Sequence, residues 1–539
     1  MSHPHLYTKR GKMKKYLFSR VVRGIISIIV IVFIIMLLVY SLSDKDLIFM
    51  GDPVFNKALN NKKTVYKYEQ WEKYGYLDYM SYADYLNMLR DSGRLDKDTF
   101  DQVVSIGATP DKDSEATAAY VKQFYDYCKE EGYSVIRLDR VVVKATFGDK
   151  VSTAEGGEQK LFAYKNTSVF VRLGKFLSNL IHVDKISYAE GDVGERGISF
   201  TWYDPAYGGE KFSPAIMGNG TQHKYLLYFD NKFPFIHQNI VKIQLGKSYS
   251  VRQGIDVFDT MVDTQGTYVK STITYPSGLV EESANDLHKA TYIKDSQSKG
   301  TNSERFTDDY TNTPTIKNGK SKMGYSFVIG IFSVIGAYCL GVPLGILMAR
   351  KKDKLFDKLG TIYIIFIMAV PSLAYIFMFK AVGAQMGLPT TFDIDSPSKL
   401  IYILPIVSLA LPSIANLMKW IRRYMIDQMN SDYVKFARSG GLSEGEIFGK
   451  HIMKNAIIPI VHGIPGSVLG AMTGALITER VYTVPGAGGL LVEALNKYDN
   501  SVIVGVAMFY AILSVVSVIL GDIFMSMVDP RISFSTKER

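Results

Sequence analysis

Residues 432–459 read DYVKFARSGGLSEGEIFGKHIMKNAIIP. The stretch is polar and basic, is broken by paired glycines, and joins two long apolar runs at 400–418 and 457–478. A few residues suffice to connect two packed helices, so a connection this long and this patterned predicts a folded element of its own. Residues 432–439 predict one helix, and Gly440-Gly441 breaks it. Ser443 with Glu446 three residues on forms a capping box, and Leu442 is placed to staple against Ile447, so a second helix starts near Glu444. On that helix Ile447, Phe448, His451, Ile452 and Asn455 share one side at helical spacing. Such an element either lies as a surface helix at a membrane interface or fits a groove on another protein.

Working outward, six segments are apolar, free of charge and long enough to cross a bilayer: 24–42, 324–349, 360–379, 400–418, 457–478 and 501–521. One such run could be a buried core helix; six together define an integral membrane protein. The chain has 539 residues and a net charge of +10. In a soluble protein that excess would suggest nucleic acid, but here the cations follow topology. Lys and Arg crowd residues 1–23, the loop after the second run, the 432–459 loop and the tail, whereas the loops between carry few. The positive-inside rule then predicts both termini in the cytoplasm. The first run is longer than a signal-peptide core and lacks a following small-residue cleavage pattern, so it reads as an uncleaved anchor. The expected organisation is a cytoplasmic N-terminus (1–23), a first span (24–42), an extracellular domain (43–323), a membrane core (324–527) containing the cytoplasmic loop 432–459, and a cytoplasmic tail (528–539). Cys128 then lies outside and Cys339 within a span, which excludes a disulfide between them.

Block 43–323 reads as a folded α+β domain. It opens with a turn signal, Gly51-Asp52-Pro53-Val54, followed by a run of tyrosines. Tyrosine clusters invite a ligand-binding reading, but packing and rimming the membrane interface is the plainer role. A helix is expected at 113–131, with Ala118, Val121, Phe124, Tyr125 and Cys128 on one face. Strands are expected at 133–147, 168–173, 198–202 and 224–229, and an irregular return to the membrane at 294–322.

In the membrane part, Gly466, Gly470 and Gly474 lie four apart and offer a close-packing face, for a subunit interface or a pore wall. Residues 479–500, with Val484-Pro485-Gly486-Ala487-Gly488-Gly489, predict an extracellular hairpin. Asp522 is a carboxylate near the inner end of the last run, either functional or paired with a nearby Arg or Lys. No GxxxxGK[ST], HExxH, GxSxG or CxxC pattern occurs, so no catalytic or metal constellation is expected.

The 432–459 loop resembles the cytoplasmic coupling ("EAA") loop of bacterial ABC-importer permeases, in the version of the dipeptide and oligopeptide branch. Asp432, Tyr433, Val434, Ala437, Arg438, Gly441, Leu442, Ser443, His451, Asn455, Ala456 and Pro459 fall at the motif positions; Lys435-Phe436 stand where that motif has Glu-Ala. The resemblance extends to Gly51-Asp52-Pro53, to Gly246, Ser248 and Val257, to 341–345, Pro371-Ser372, Arg422, Glu479, Pro485–Gly488, Asp522 and Asp529-Pro530-Arg531. Residues 60–225 are an insertion similar to that of the streptococcal-type oligopeptide permease. The resemblance implies an all-α polytopic membrane domain of six helices, of the type I ABC importer permease class, with an inserted α+β extracellular domain. It implies a non-catalytic permease subunit of an ATP-driven oligopeptide importer in the cell membrane. Its partners would be a second permease subunit, two cytoplasmic ATPases that use the ATP, an extracellular peptide-binding lipoprotein, the peptide substrate and membrane lipid, with no cofactor or metal of its own. Asp432, Ala437, Arg438, Gly441, Leu442, Ser443, Glu446, His451, Asn455 and Pro459 would couple to the ATPases. Glu479, Pro485, Gly486, Gly488 and Asp522 are candidates for translocation or structure. A ligand sensor would need no such loop in register, and a secondary transporter would show paired intramembrane charges and inverted repeats.

Overall fold

The computed structural model describes residues 4–528 except 43, 148–149, 157–158, 184–196, 205–211, 220–222, 224, 230–234, 270, 275–279, 284–290, 293–307, 310–315 and 318. Among the described residues four helices are long and apolar enough to cross a membrane: Phe18–Ser41 within α1 (Pro4–Leu42), Lys322–Arg350, Lys399–Met429 and Asn500–Val528. Two further stretches qualify only as bent pairs. The run at 360–379 is not one straight helix. Leu355–Ala369 and Ser372–Gln385 meet at 112°, because Pro371 forces Val370 out of the helical region into extended backbone. The pair at Glu444–His462 and Ile464–Thr473 bends by 41° around Gly463 and Pro465.

The membrane part is built on α9 (Lys322–Arg350), flanked by α10 (Leu355–Ala369), α11 (Ser372–Gln385) and α12 (Ile403–Met429). α9 and α12 pack side by side along one large apolar cluster. Two glycines set their distance: a Cβ at Gly341 would lie 2.9 Å from Leu417 Cβ, and one at Gly345 3.0 Å from Ile421 Cβ. This Gly-x-x-x-Gly step lets the backbones approach as small residues do in membrane bundles. Gly466 and Gly470, expected on a face for a subunit interface or a pore wall, have no atom of this chain within 4 Å of where a Cβ would stand.

Between α1 and α9 the chain contributes α2 (Pro53–Lys57), α3 (Asn60–Lys73), α4 (Tyr82–Asp91), α5 (Lys97–Val103), α6 (Glu115–Glu131), α7 (Val169–Asn179) and α8 (Val257–Val262). Strands β1 (Leu77–Ser81), β2 (Ser134–Leu138) and β5 (Lys160–Asn166) form an antiparallel sheet in the order β1-β5-β2. β7 (Gly197–Thr201), β8 (Ala215–Asn219), β9 (Tyr225–Phe229) and β10 (Ile236–Gln238) form a second sheet, and β3 (Val141–Phe147) pairs with β4 (Lys150–Gly156). The helix expected at 113–131 is α6, capped by Ser114 and ended by Gly132 at φ +76°. Its inward face is Thr117, Val121, Phe124 and Cys128; Ala118 and Tyr125 point out. The expected strand at 168–173 is instead the start of α7. The Ser168 hydroxyl caps it by accepting from the Val171 amide, and Val169, Leu173, Phe176 and Leu180 recur at helical spacing against α1. The six-residue window was too short to separate that period from an alternating one. Most of 294–322 lies outside the described residues.

The tyrosines do pack. Tyr74, Tyr76 and Tyr249 are buried with Ile48, Phe49, Trp71 and Leu77. The expected turn at Gly51–Val54 is a helix start: Asp52 caps α2, accepting from the Val54 and Phe55 amides at 2.8 and 3.1 Å. The same carboxylate accepts from Tyr249 Oη at 2.6 Å and Tyr66 Oη at 2.8 Å. Burial pushes its pKa up, but the Tyr249 hydroxyl, the two amides and Tyr66 together hold it below the usual carboxylate range.

Candidate functional site

The 432–459 loop is an elbow. α13 (Asp432–Ser439) ends at Gly440, and Gly441 turns the chain at φ +83°, a left-handed conformation that only glycine adopts without strain. The capping box is complete: Ser443 Oγ accepts from the Glu446 amide, and the Glu446 carboxylate accepts from the Ser443 amide at 3.3 Å. α14 (Glu444–Glu446) follows, and then the chain winds as a π-helix over Ile447–Met453 before α15 (Lys454–Ala456) and α16 (Ile458–His462). The π-turn was not legible in the sequence. Its consequence is that Ile447 and Ile452, five residues apart, both turn inward.

That inward turn corrects the expected orientation of the second helix. Ile447, Ile452 and Ala456 are buried with Val434 and Ala437 against the lower end of α12. Apolar burial on this scale seats both arms of the elbow on the membrane core. Tyr433 ties them together: its hydroxyl accepts from Asn455 Nδ2 at 3.0 Å and contacts the His451 carbonyl at 3.4 Å. Asn455 through its side chain and His451 through its backbone carbonyl therefore link the two arms, and the elbow also has an exposed surface. There Phe436 is 81% exposed, with Leu442 nearby in sequence at 38%. The elbow's exposed ion pairs are Asp432–Lys435, Arg438–Glu444 and Glu446–Lys450. The Arg438 guanidinium holds the Glu444 carboxyl below its usual range. Pro459 sits in the first turn of α16, where its missing N–H costs nothing.

Glu479, Gly486 and Gly488 come together as one lock. Glu479, on α18 (Leu476–Tyr482), is buried, accepts from Ser326 Oγ at 2.5 Å, and accepts from the Gly488 and Gly489 amides at 3.1 and 3.3 Å. Those amides open α19 (Ala487–Asn496), so a carboxylate from elsewhere caps that helix. A Cβ at Gly486 would stand 2.2 Å from Glu479 Cδ. Pro485 leads into this turn. Asp522, on α20 (Asn500–Val528), is far from the lock and is paired: it accepts from Tyr16 Oη at 2.8 Å and meets Arg20 at 3.2 Å. It pins α1 to α20.

Two buried carboxylates escaped the sequence reading. Asp357 takes a bidentate pair from Arg422, Nε to Oδ1 at 2.6 Å and Nη2 to Oδ2 at 2.7 Å, joining α10 to α12. Arg422 was singled out, and its partner would have been any acid near the inner end of a neighbouring run. Asp499, at the start of α20, binds segment 248–251. Ser248 was noted, but nothing in the sequence pairs it with a residue so distant. Among the described residues no cluster of His, Cys, Asp and Glu is arranged to hold a metal ion.

Several apolar helices with an elbow seated on their core form the architecture of a multi-pass membrane permease. The chain belongs to the family described as "Binding-protein-dependent transport system inner membrane component", which matches residues 341–534. The oligopeptide transport system permease protein AmiC of Streptococcus pneumoniae is 34% identical over 533 residues, covering 97% of this chain and 99% of that protein. The dipeptide transport system permease protein DppB of Lactococcus lactis is 29% identical, covering 41% of this chain and 73% of that protein, and DppB of Bacillus subtilis is 26% identical over 39% and 68%. The family carries the type I ABC importer permease fold with several apolar helices. The DppB likenesses span 224 and 213 residues, whereas that to AmiC runs nearly end to end.

Proposed function

We propose that the chain is one half of the translocation pore of an ATP-driven oligopeptide importer, paired with a second permease subunit. The carrying observation is the elbow: a rigid, capped, two-arm element whose inner face is buried in the membrane core and whose exposed surface presents Phe436. Such a part transmits a push from a docked partner directly into α12. Two ATPases, each gripping one permease subunit, are the partners this proposal names, and they carry the ATP chemistry. The peptide substrate follows from the near full-length likeness to AmiC.

The proposal includes six spans, with each bent pair counted as one, both termini and the elbow in the cytoplasm, and block 43–323 outside as the platform for a peptide-binding lipoprotein. The segment boundaries are those given above. The charge distribution supports the orientation. Affinity purification of the full chain from its native membrane tests the assembly: recovery of a second permease and two ATPases is expected, and recovery of neither rejects it. Cysteine labelling from either side tests the topology, since a reactive cysteine in block 43–323 reached only from inside the cell reverses it.

A further inference from the structure

We infer that α7 lies within the lipid bilayer, with the acyl chains of the leaflet beside the inserted segment covering its outer face. This goes beyond the transport reading and rests only on α1 crossing the membrane. The evidence is a depth marker. The ring of Phe170, in the first turn of α7, packs against Phe33 with centroids 5.2 Å apart. Phe33 lies nine residues before the end of α1 at Leu42, about 13 Å down the helix axis from its outer end. A hydrocarbon core is about 30 Å thick, so Phe170 reaches well below the headgroups. The row Val169, Leu173 and Phe176 packs against the cluster to which Val32 and Met36 of α1 belong, so the inward side of α7 is its apolar row.

Among the described residues the other face stands open, with Lys175 and Ser178 at its upper edge. Phe170 is 71% and Val171 51% exposed, and a Cβ at Gly174 would meet no atom within 4 Å. Ile181 and Val183, on the strand that follows, are exposed as well. The polar side points back toward the interface. Arg172 reaches up to lie over the rings of Tyr40 and Tyr76 at 4.1 and 4.6 Å, and its Nε donates to the Gly75 carbonyl at 2.9 Å. Lys175 bridges to Asp78 at 3.1 Å. An apolar face below and upward-reaching cations above are the marks of a helix lying in a membrane interface.

The test is collisional accessibility of a nitroxide in lipid nanodiscs, on the full chain purified with its accompanying subunits. The label goes at Gly174→Cys in a Cys339→Ala background, where open space accommodates it, with Lys175→Cys as the polar-side control. The expected result is oxygen access with loss of access to a water-soluble nickel complex at 174, and nickel access at 175. Nickel access at 174 overturns the inference by placing the face in water. Exclusion of both probes, with an immobilised label, also overturns it by placing a protein partner there. If Gly174→Cys fails to express, Val171→Cys gives the same readout.

Discussion

Asp499 and Ser248 lie 251 positions apart in the chain, yet Ser248 Oγ donates to Asp499 Oδ2 at 2.7 Å. The same oxygen accepts from the amides of Tyr249, Ser250 and Val251, each at 3.0 Å, so three consecutive N–H groups form a nest around one buried carboxylate. Next to it Asn500 Nδ2 donates to Tyr76 Oη at 2.6 Å, and Ser250 Oγ donates to the Lys497 carbonyl at 2.8 Å. The hairpin before the last membrane helix is thereby bolted to the block that follows the first span, and through Tyr249 to Asp52 at the start of α2.

Asp499→Ala removes the acceptor and leaves its donors without partners. The cost is on the order of 3 kcal/mol, since buried unpaired donors and lost charged hydrogen bonds each contribute at about that scale. Hydrogen exchange reads it locally. The amides of Tyr249, Ser250 and Val251 should exchange far faster in the variant, whereas amides in α12 should not change. Unaltered protection at 249–251 would show that the nest is held by something other than the carboxylate.

A second ion pair gives a pH signature. Arg137 grips Asp113 with two parallel bonds, Nη1 to Oδ2 at 2.8 Å and Nη2 to Oδ1 at 2.9 Å, and this holds the Asp113 carboxyl below its usual range against the opposing effect of burial. A carboxyl whose folded pKa is depressed contributes stability that is complete above its unfolded pKa, about 3.9, and is lost as the pH falls through the folded value. The stability difference between the native chain and Asp113→Asn should therefore be constant from neutral pH down to about 5 and shrink below about 4. Thermal melts followed by near-ultraviolet circular dichroism measure it. A difference that grew on acidification would reverse the sign and refute the assignment.

The lock at Glu479 makes a prediction about coupling between mutations. Gly486→Ala drives a methyl into the Glu479 carboxyl group, and overpacking of this kind costs about 1–3 kcal/mol. Glu479→Ala vacates that space. In the Glu479→Ala background, the added methyl at 486 should cost under about 0.5 kcal/mol, a clear departure from additivity. Detergent-solubilised thermal stability of the four proteins in the cycle decides. Strict additivity would mean that the two residues do not touch in the folded protein.

How much of this was legible in the sequence depends on range. The elbow's capping box, its glycine break and its first helix are local codes written within a few residues, and Ser443, Glu446 and Gly441 play the parts their spacing predicted. The apolar runs were equally plain, because bilayer length leaves few alternatives. What stayed hidden depends on partners far along the chain. Asp499 reads as one more hairpin aspartate until segment 248–251 folds onto it. The close α9–α12 contact runs through Gly341 and Gly345, which the sequence leaves unassigned, because periodicity identifies a face without naming its neighbour. The π-turn at Ile447–Met453 shifts a helical face by tertiary packing and left no mark in the spacing.

Gly441 allows a test of the elbow's shape. Nothing lies within 4 Å of a Cβ there, so Gly441→Ala costs only the backbone strain of a left-handed alanine, about 1–2 kcal/mol. Confined to the hinge, that strain should misalign the two arms and lower substrate-stimulated ATP hydrolysis in the assembled complex while the membrane core stays folded. Gly445→Ala is the matched control: it too has open space, but it lies within helical backbone and should be neutral or slightly stabilising. Equal losses from both variants would mean that the hinge conformation is not what matters.

Phe436 is the sharpest test of what the elbow grips. A phenylalanine 81% exposed on a short helix that also carries the Asp432–Lys435 pair has the form of an aromatic anchor awaiting a pocket. Its side chain contributes nothing to the packed cluster formed by Val434 and Ala437, so Phe436→Ala should leave the melting temperature of the isolated chain unchanged. Anchors of this kind contribute about 2 kcal/mol or more to a complex, so affinity for the ATPase subunits should fall roughly 30-fold. Titration of purified ATPase onto the chain in nanodiscs measures it. Retained affinity would place the docking surface elsewhere on the loop, with Leu442 the next residue to probe.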